Sequence, residues 1–272
     1  MNFDEIRPFL IVFLVGTTVV TLRYILFAGV AYYAFWKKWK DKFAHRIIQG
    51  KLADISKIKH EIFYSLTTMV IFGLVGVGIY TAKINGYTHI YKDISERGWA
   101  YFAFSVIAMI VIHDAYFYLT HRMMHHKLLF KHMHLVHHKS SNPSPWAAFS
   151  FHPYEAVVEA GIVPLIVMIM PVHGLAIFSF LLYMTFLNVL GHLAFETFPK
   201  GFVGNRLTNW HNTTTHHNMH HKYFNCNYGL YFNWWDKIFK TNHAEYQTQF
   251  DIITKKPLFL KSIQTNSQVK IT

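Results

Sequence analysis

The sequence predicts an all-α integral membrane bundle that crosses the bilayer about four to five times and carries a histidine-rich cap at one end. Three observations point there. The chain of 272 residues is 52% hydrophobic and only 15% charged, too apolar for an ordinary soluble domain. Its apolar residues fall in runs long enough to span a bilayer. Sixteen of its 20 histidines lie between His113 and His221.

The first run, from about Pro8 to Trp36, can span with some tilt. Arg23 stands near its middle. An arginine at that depth has to face protein or water, or the span divides into two shorter pieces. WKKWKDKFAHRIIQGKLADISKIKH, from Trp36 to His60, is a basic amphipathic connection expected at the membrane interface. The second run, from about Ile62 to Ala82, contains Gly73, Gly76 and Gly78, which permit close helix packing. Residues 83–98 form a polar link. The third span starts near Trp99 and runs straight into His113 and the first histidine cluster. SSNPSPW, from Ser140 to Trp146, reads as a loop. Two shorter apolar runs, Ala156 to Met170 and Leu175 to Leu190, are separated by a PVHG turn and suit a partly embedded hairpin. From Phe195 the chain is aromatic-rich and soluble in character. Three units follow: membrane spans and basic connection over 1–98, a histidine-bearing domain over 99–242, and a polar tail over 243–272.

The formal charge of +12 raises the question of nucleic acid. Here, however, Lys and Arg flank apolar spans, so an anionic membrane surface is the expected partner and nucleic acid is not. The connection after the first span carries Lys37, Lys38, Lys40, Lys42, Arg46, Lys51, Lys57 and Lys59. The segment after the third carries Arg122, Lys127, Lys131 and Lys139. The positive-inside rule puts both on the cytoplasmic side, and the hairpin returns the chain there, so all histidine clusters share that face. The opening residues MNFDEIRPF lack the cationic region and small-residue cleavage site of a removable signal peptide. The single cysteine, Cys226, excludes an intrachain disulfide and any Cys-rich zinc or iron–sulfur site.

The histidines occur as HRMMH (His121 to His125), HMHLVHH (His132 to His138), a lone GHLAFE (His192) and HHNMHH (His216 to His221). Spacings of three and four put imidazoles on one helix face. A lone histidine is more often a packed side chain than a ligand. A set this dense has no packing rationale and repels itself once protonated, which points to metal. The candidate ligands are His121, His125, His134, His137, His138, His192, His217, His220 and His221. Zinc takes about four ligands and a first-row ion at most about six, so nine imidazoles suit two ions. Imidazole serves zinc, copper, iron and nickel alike, and there is no HExxH motif. Ligand imidazoles need their other nitrogen oriented. Asp114 shares the helix face of His121 and His125, and Glu196 follows His192 by four; both are candidates for catalytic carboxylates. Asp236, in NWWDK, fits a turn or helix start. His126, His132, His211 and His216 adjoin the clusters as structural or orienting groups, while His45, His60, His89 and His243 are expected to face solvent.

The succession HD…HRMMH, HLVHH, FHP, GH and HHNMHH resembles the fatty acid hydroxylase/sterol desaturase superfamily of membrane di-iron oxidoreductases. AAFSFHPYE (Ala147 to Glu155) and HHNMHHKYFNCNYGLYFNWWDKIFKT (His216 to Thr241) are most similar to its C-5 sterol desaturase branch. The resemblance covers roughly residues 100–242; the earlier spans match only in kind. It implies metal ligands at the nine histidines named above, with His113, His152 and His216 as further candidates outside that set. His113 lies about 80° round the helix from His121. Where related hydroxylases place another histidine a turn after the lone one, this chain has Glu196. The resemblance also implies two iron ions, O2 as co-substrate, and removal of hydrogen from an unactivated C–H bond of a lipid to give an alkene or an alcohol. No GxGxxG and no haem domain is visible, so the electrons come from an external donor of cytochrome-b or ferredoxin type, docked on the basic cytoplasmic surface. A sterol-like substrate is implied. The alternatives are a hydroxylase or monooxygenase of fatty acyl, alkylglycerol or carotenoid lipids and, from another class, a histidine-rich metal transporter. Transport is disfavoured because the clusters sit at span ends and in loops.

Overall fold

The structure is a computed structural model that describes residues 3–255. Helix α1 (Phe3–Ala31) runs on through a π-helical segment (Tyr32–Lys38), and α2 (Ile55–Ile84) returns antiparallel to it. With α3 (Gly98–Met124) and, later in the chain, Gly174–Gly191, these are the four helices among the described residues that are long and apolar enough to cross a membrane. Their apolar side chains point outward as well as inward, as lipid-facing helices require: Leu22, Leu26, Phe63, Phe104 and Ile107 are all exposed. Arg23 does not divide the first span. The helix is continuous and the side chain is buried at 8% exposure.

Of the three glycines in α2, Gly73 makes the close helix contact. A Cβ there would collide with Thr17 Oγ1, whereas Gly76 and Gly78 have nothing within 4 Å. Two four-residue helices follow α3: α4 (Phe130–Met133) and α5 (Leu135–His138). The SSNPSPW loop leads into a 3-10 turn (Pro145–Phe149), in which the Ser144 side chain is hydrogen-bonded to Glu61 of α2.

The run from Ala156 to Met170 is broken into two short helices, α6 (Pro153–Ala160) and α7 (Ile162–Ile169). The break falls at Gly161, where a Cβ would lie 2.8 Å from Tyr116 Oη. That hydroxyl donates to the Val158 carbonyl at 2.6 Å. At the end remote from the histidines, β1 (Ile90–Tyr91) pairs in parallel with β2 (Val172–His173), and α8 (Gly174–Gly191) brings the chain back.

The cap contains α9 (Thr214–Tyr223), α10 (Trp234–Ile238) and α11 (Tyr246–Lys255). The segment expected to be a polar tail from residue 243 therefore begins as a docked helix. Tyr246 and Phe250 bury against Met219 of α9, and residues 256–272 lie outside the described residues. The basic connection between the first two spans packs on the cap. Trp36 Nε1 donates to Leu193 O at 3.0 Å, Glu196 N to Arg46 O at 3.0 Å, and Gln49 Nε2 to Ser141 O at 2.8 Å.

Candidate metal centre

Three helices, α3, α8 and α9, bring the histidines together. His121 stands in the last turn of α3 and His125 caps it; His192 is the first residue after α8; His217, His220 and His221 share α9. The α4–α5 corner places His134, His137 and His138 above them. The nine predicted ligands resolve into two groups, each with ligand atoms within 4.8 Å of one another. One is His121, His125, His134, His138 and His220; the other is His137, His192, His217 and His221. Each HH pair is split between them. The rings of His137 and His138 stand at 87°, and those of His220 and His221 at 83°, so one dipeptide serves two sites.

The Nε2 atoms converge in both groups. In the five-membered set His121 and His134 approach to 3.0 Å, His138 and His125 to 3.1 Å, and His220 and His138 to 3.0 Å. In the four-membered set His217 and His192 are 3.1 Å apart, and His221 lies 3.2 Å from both. Nitrogens bound at about 2.1 Å to one ion sit roughly 3.0–3.4 Å apart for octahedral or tetrahedral arrangements. Tautomers exclude a purely hydrogen-bonded explanation. Nδ1 of His121, His220 and His192 donates to the carbonyls of Tyr228 (2.8 Å), Cys226 (2.7 Å) and Asn188 (2.7 Å). With the proton on Nδ1, a neutral ring presents only a lone pair at Nε2. His121 and His220 thus aim lone pairs into one space, which suits a cation. Burial, reinforced by neighbouring imidazoles, holds His137, His138, His217 and His221 well below the usual histidine range, and burial lowers His192 to about 4. The rings are neutral at pH 7, as ligands must be.

Sequence reasoning missed the carboxylate closest to this centre. Glu155, in FHPYE, lies 2.7 Å from Nδ1 of His134 with both groups buried, the carboxylate–histidine pairing typical of metal ligands. Its signal was its place in a motif already noticed. The Asn188 carbonyl, four residues before His192, follows from helix spacing; the Tyr228 and Cys226 carbonyls come from backbone that no residue type announces.

The other candidates take different places. Asp114 Oδ1 accepts from the backbone N–H groups of Tyr231 and Phe232 at 3.0 and 3.1 Å, tying α3 to the loop that carries the Tyr228 carbonyl. Glu196 is buried, accepting from Phe198 N (2.9 Å), Thr215 N (2.8 Å) and Thr215 Oγ1 (2.6 Å). Neither carboxylate is among the converging ligand atoms. His113 Nδ1 meets Tyr231 Oη at 2.8 Å, His152 Nδ1 accepts from Tyr154 N at 3.3 Å at the start of α6, and His216 Nε2 lies 3.3 Å from Asn242 Oδ1. Asp236 accepts from Tyr228 N, Gly229 N and Thr241 Oγ1, fixing the turn expected of it. Gly229 is required there, because a Cβ would meet Phe232 O at 2.7 Å.

An apolar cavity of about 250 Å³ lies beneath the two groups, between α1, α2, α3, α6, α7 and α8. Its wall includes Phe117, whose ring is 4.9 Å from that of His121, and Phe151, 5.3 Å from His137. Asn188, which orients His192, also lines it. Two buried histidine groups that could each hold a metal ion therefore abut a space suited to an apolar ligand.

Residues 106–241 match the fatty acid hydroxylase family, and the chain belongs to it. Among individual proteins, the chain is 31% identical over 223 residues to a Delta(7)-sterol 5(6)-desaturase of Gibberella zeae, covering 81% of this chain and 65% of the relative. It is 26% identical over 238 residues to the lathosterol oxidase of Homo sapiens, covering 87% and 75%, and 26% identical over 250 residues to a Delta(7)-sterol 5(6)-desaturase of Schizosaccharomyces pombe, covering 90% and 70%. The chain thus spans slightly less than two thirds of the Gibberella protein's length. No solved structure matches it.

Proposed function

We propose that this protein is a membrane-bound, iron- and O2-dependent oxidoreductase that acts on a C–H bond of a lipid, in the manner of a C-5 sterol desaturase. The observation that carries this reading is the contact between two converged histidine groups and one apolar cavity. The names of the sterol desaturase and lathosterol oxidase relatives support the substrate class. The five-membered group would hold one iron and the four-membered group a second. Bound iron supplies O2 activation and the electron transfers that side chains cannot perform.

The chain's own residues do the rest. Imidazoles held neutral by burial keep their lone pairs on the metal positions. Glu155 and the Tyr228, Cys226 and Asn188 carbonyls fix the ring orientations. Phe117 and Phe151 close the space between metal and lipid against water. In this reading Asp114 and Glu196 are positioning residues, one through the loop at Tyr228 and one through the first turn of α9. The electron donor is a separate protein of cytochrome-b or ferredoxin type, drawn to the basic connection at the cap end.

The cap lies in the cytoplasm in this reading. Cysteines introduced at the exposed Lys139 and at the exposed Tyr87, which stand at opposite ends of the bundle, would label from opposite sides of the membrane, Lys139 from the cytoplasm. Labelling of Lys139→Cys from outside would reverse the orientation. The activity test is iron-loaded protein in nanodiscs with a Delta(7)-sterol, O2 and a reduced donor. The expected product is a sterol two hydrogens lighter; the same protein returning every lipid class unchanged would sink the oxidation reading.

A further inference from the structure

The two histidine groups differ in what covers them. His137, His192, His217 and His221 are all buried. The connection between the first two spans lies over that side. Trp36 Nε1 donates to the carbonyl of Leu193, next to His192, and Gln49 Nε2 to Oδ1 of Asn218, next to His217, each at 3.0 Å. In the five-membered group one ring reaches the surface: of the nine histidines, His125 alone is half-buried. Its ring packs on Phe130 at 5.3 Å, and Phe130 meets Phe224 at 6.1 Å beside His138. Phe224 is held there by an uncommon turn. Its φ of +68° is left-handed, which a bulky residue seldom adopts, and its N–H donates to His220 O at 2.8 Å. The turn lays the ring 4.7 Å from that of His138. Neither phenylalanine belongs to the wall of the apolar cavity, which meets the histidines through Phe117 and Phe151. The histidine groups therefore have two approaches, one through the cavity and one from the cap surface at His125.

The second approach is aromatic and basic. Lys127 and Lys131 stand on either side of Phe130 in the chain, Lys222 and Tyr223 precede Phe224, and all four are exposed. Residues 121–134 and 214–228 contain no Asp or Glu. Glu245, next to the His243 ring that stacks on Tyr223, marks the edge of the patch. An aromatic centre inside a charged rim is the composition of a protein interface. A rim of one sign selects a partner of the other sign and speeds its arrival. The lysines of the connection add to that attraction from a distance, but the connection itself seals the group beneath it. A one-electron carrier has to come close to a buried metal, because transfer falls steeply with distance through protein. His125 is where a ligand ring meets the surface.

We propose that the face formed by Phe130, Phe224 and the exposed edge of His125, rimmed by Lys127, Lys131 and Lys222, is where the electron donor docks, and that the donor is an acidic protein carrying a one-electron haem or iron–sulfur group. Each docking passes one electron: the reduced donor is oxidised by one, and the ion held by the five-membered group is reduced by one. The lipid is met from the cavity side. This rests on the iron-dependent reading above for the statement that the partner is a reductant.

The test uses iron-loaded protein in nanodiscs of phosphatidylcholine, which carry no net charge, and two probes: a soluble, acidic cytochrome-b-type haem domain and an acidic ferredoxin. Two triple variants make the same change of charge in different places. One joins Lys127→Glu, Lys131→Glu and Lys222→Glu at the face; the other joins Lys38→Glu, Lys40→Glu and Lys42→Glu on the connection. Affinity is measured with both partners oxidised. Electron transfer is followed by stopped flow, without O2, as oxidation of the reduced probe. The face variant should bind at least about tenfold more weakly and slow the transfer by a similar factor at sub-saturating probe, whereas the connection variant should lose less than about threefold. Salt should weaken the parent's binding more than the face variant's. Both variants should keep the parent's iron and its rate of reduction by dithionite, because none of the six lysines is among the converging ligands. Equal losses in the two variants, or a larger loss on the connection, would overturn the site, as would a parent that binds neither probe. Parental donor affinity in the face variant, with loss of the anionic lipid that co-purifies with the parent, would overturn it in favour of a membrane contact. Sterol conversion is scored separately. A loss of donor binding confined to the face variant, with no lipid oxidised, keeps the docking face and removes the oxidation reading. Conversion by a parent whose donor affinity responds alike to both variants does the reverse.

Discussion

The two histidine groups differ in how firmly they are held. In the five-membered set, three rings have Nδ1 fixed from outside, His121 by Tyr228 O, His220 by Cys226 O and His134 by the Glu155 carboxylate. In the four-membered set His192 is fixed by Asn188 O, while Nδ1 of His217 and of His221 has no hydrogen-bond partner. A six-coordinate ion in the first set has one position left, and in the second it has two. Under the proposed function the difference implies a division of labour: one group would keep its metal, and the other would leave room beside it. Orientation by outer hydrogen bonds raises both ligand basicity and rigidity, so the better-supported set should also bind more tightly.

The largest effects should come from ligand deletions that treat the two groups unequally. His192→Ala leaves three imidazoles where there were four, whereas His125→Ala leaves four where there were five, the count at which the other set starts. Under the proposed function, His192→Ala should fall to about one iron per chain and lose at least about a hundredfold in turnover, beyond the 10–100-fold typical of outer partners. His125→Ala should keep close to two irons and lose less. Metal analysis of the purified variants beside the parent decides it. Equal iron loss in the two variants would erase the distinction.

A smaller, sharper perturbation is Glu155→Gln. It exchanges the carboxyl behind His134 for an amide and leaves the shape. Iron affinity should drop about 10–100-fold, and only in the five-membered set. Titration with a graded chelator should then show the parent releasing its four-membered ion first and the variant losing that order. A variant that keeps the parent's order would mean Glu155 does not tune the metal.

How much of this was legible beforehand follows from what each part needs. Apolar runs announce spans because lipid demands continuous apolar surface, so α1, α2 and α3 were visible, whereas the run that forms α8 read as one arm of a partly embedded hairpin although it is long and apolar enough to cross. The nine histidines that converge were visible because imidazole density has no packing explanation. Their sorting was not. Periodicity kept each HxxHH triplet together, but adjacent histidines on a helix point about 100° apart, and the fold uses that angle to send His137 and His138, and likewise His220 and His221, to different sets. Helix α11 was hidden because a short helix with two buried aromatics, Tyr246 and Phe250, reads as polar on average. Arg23 was flagged by its depth alone, and only the packing of α1 against α2 and α8 shows that it lines the cavity.

The smallest expected effect tests whether Glu196 belongs to one group or to both. Its carboxylate accepts from Thr215 in the first turn of α9, where the helix dipole favours negative charge by about 0.3–1 kcal/mol. Helix α9 carries His217 and His221 of one set and His220 of the other, so loosening its start disturbs both alike. Glutamine keeps one acceptor and loses the charge. Glu196→Gln should therefore lower turnover only about two- to fivefold, the rate equivalent of that dipole energy, with the two irons retained in parental order. A selective loss of iron from the four-membered set would instead place Glu196 at the metal, as its position one turn after His192 first suggested, and the capping role would be secondary. Full turnover with a lowered melting temperature would leave it as a brace on the first turn of α9 alone.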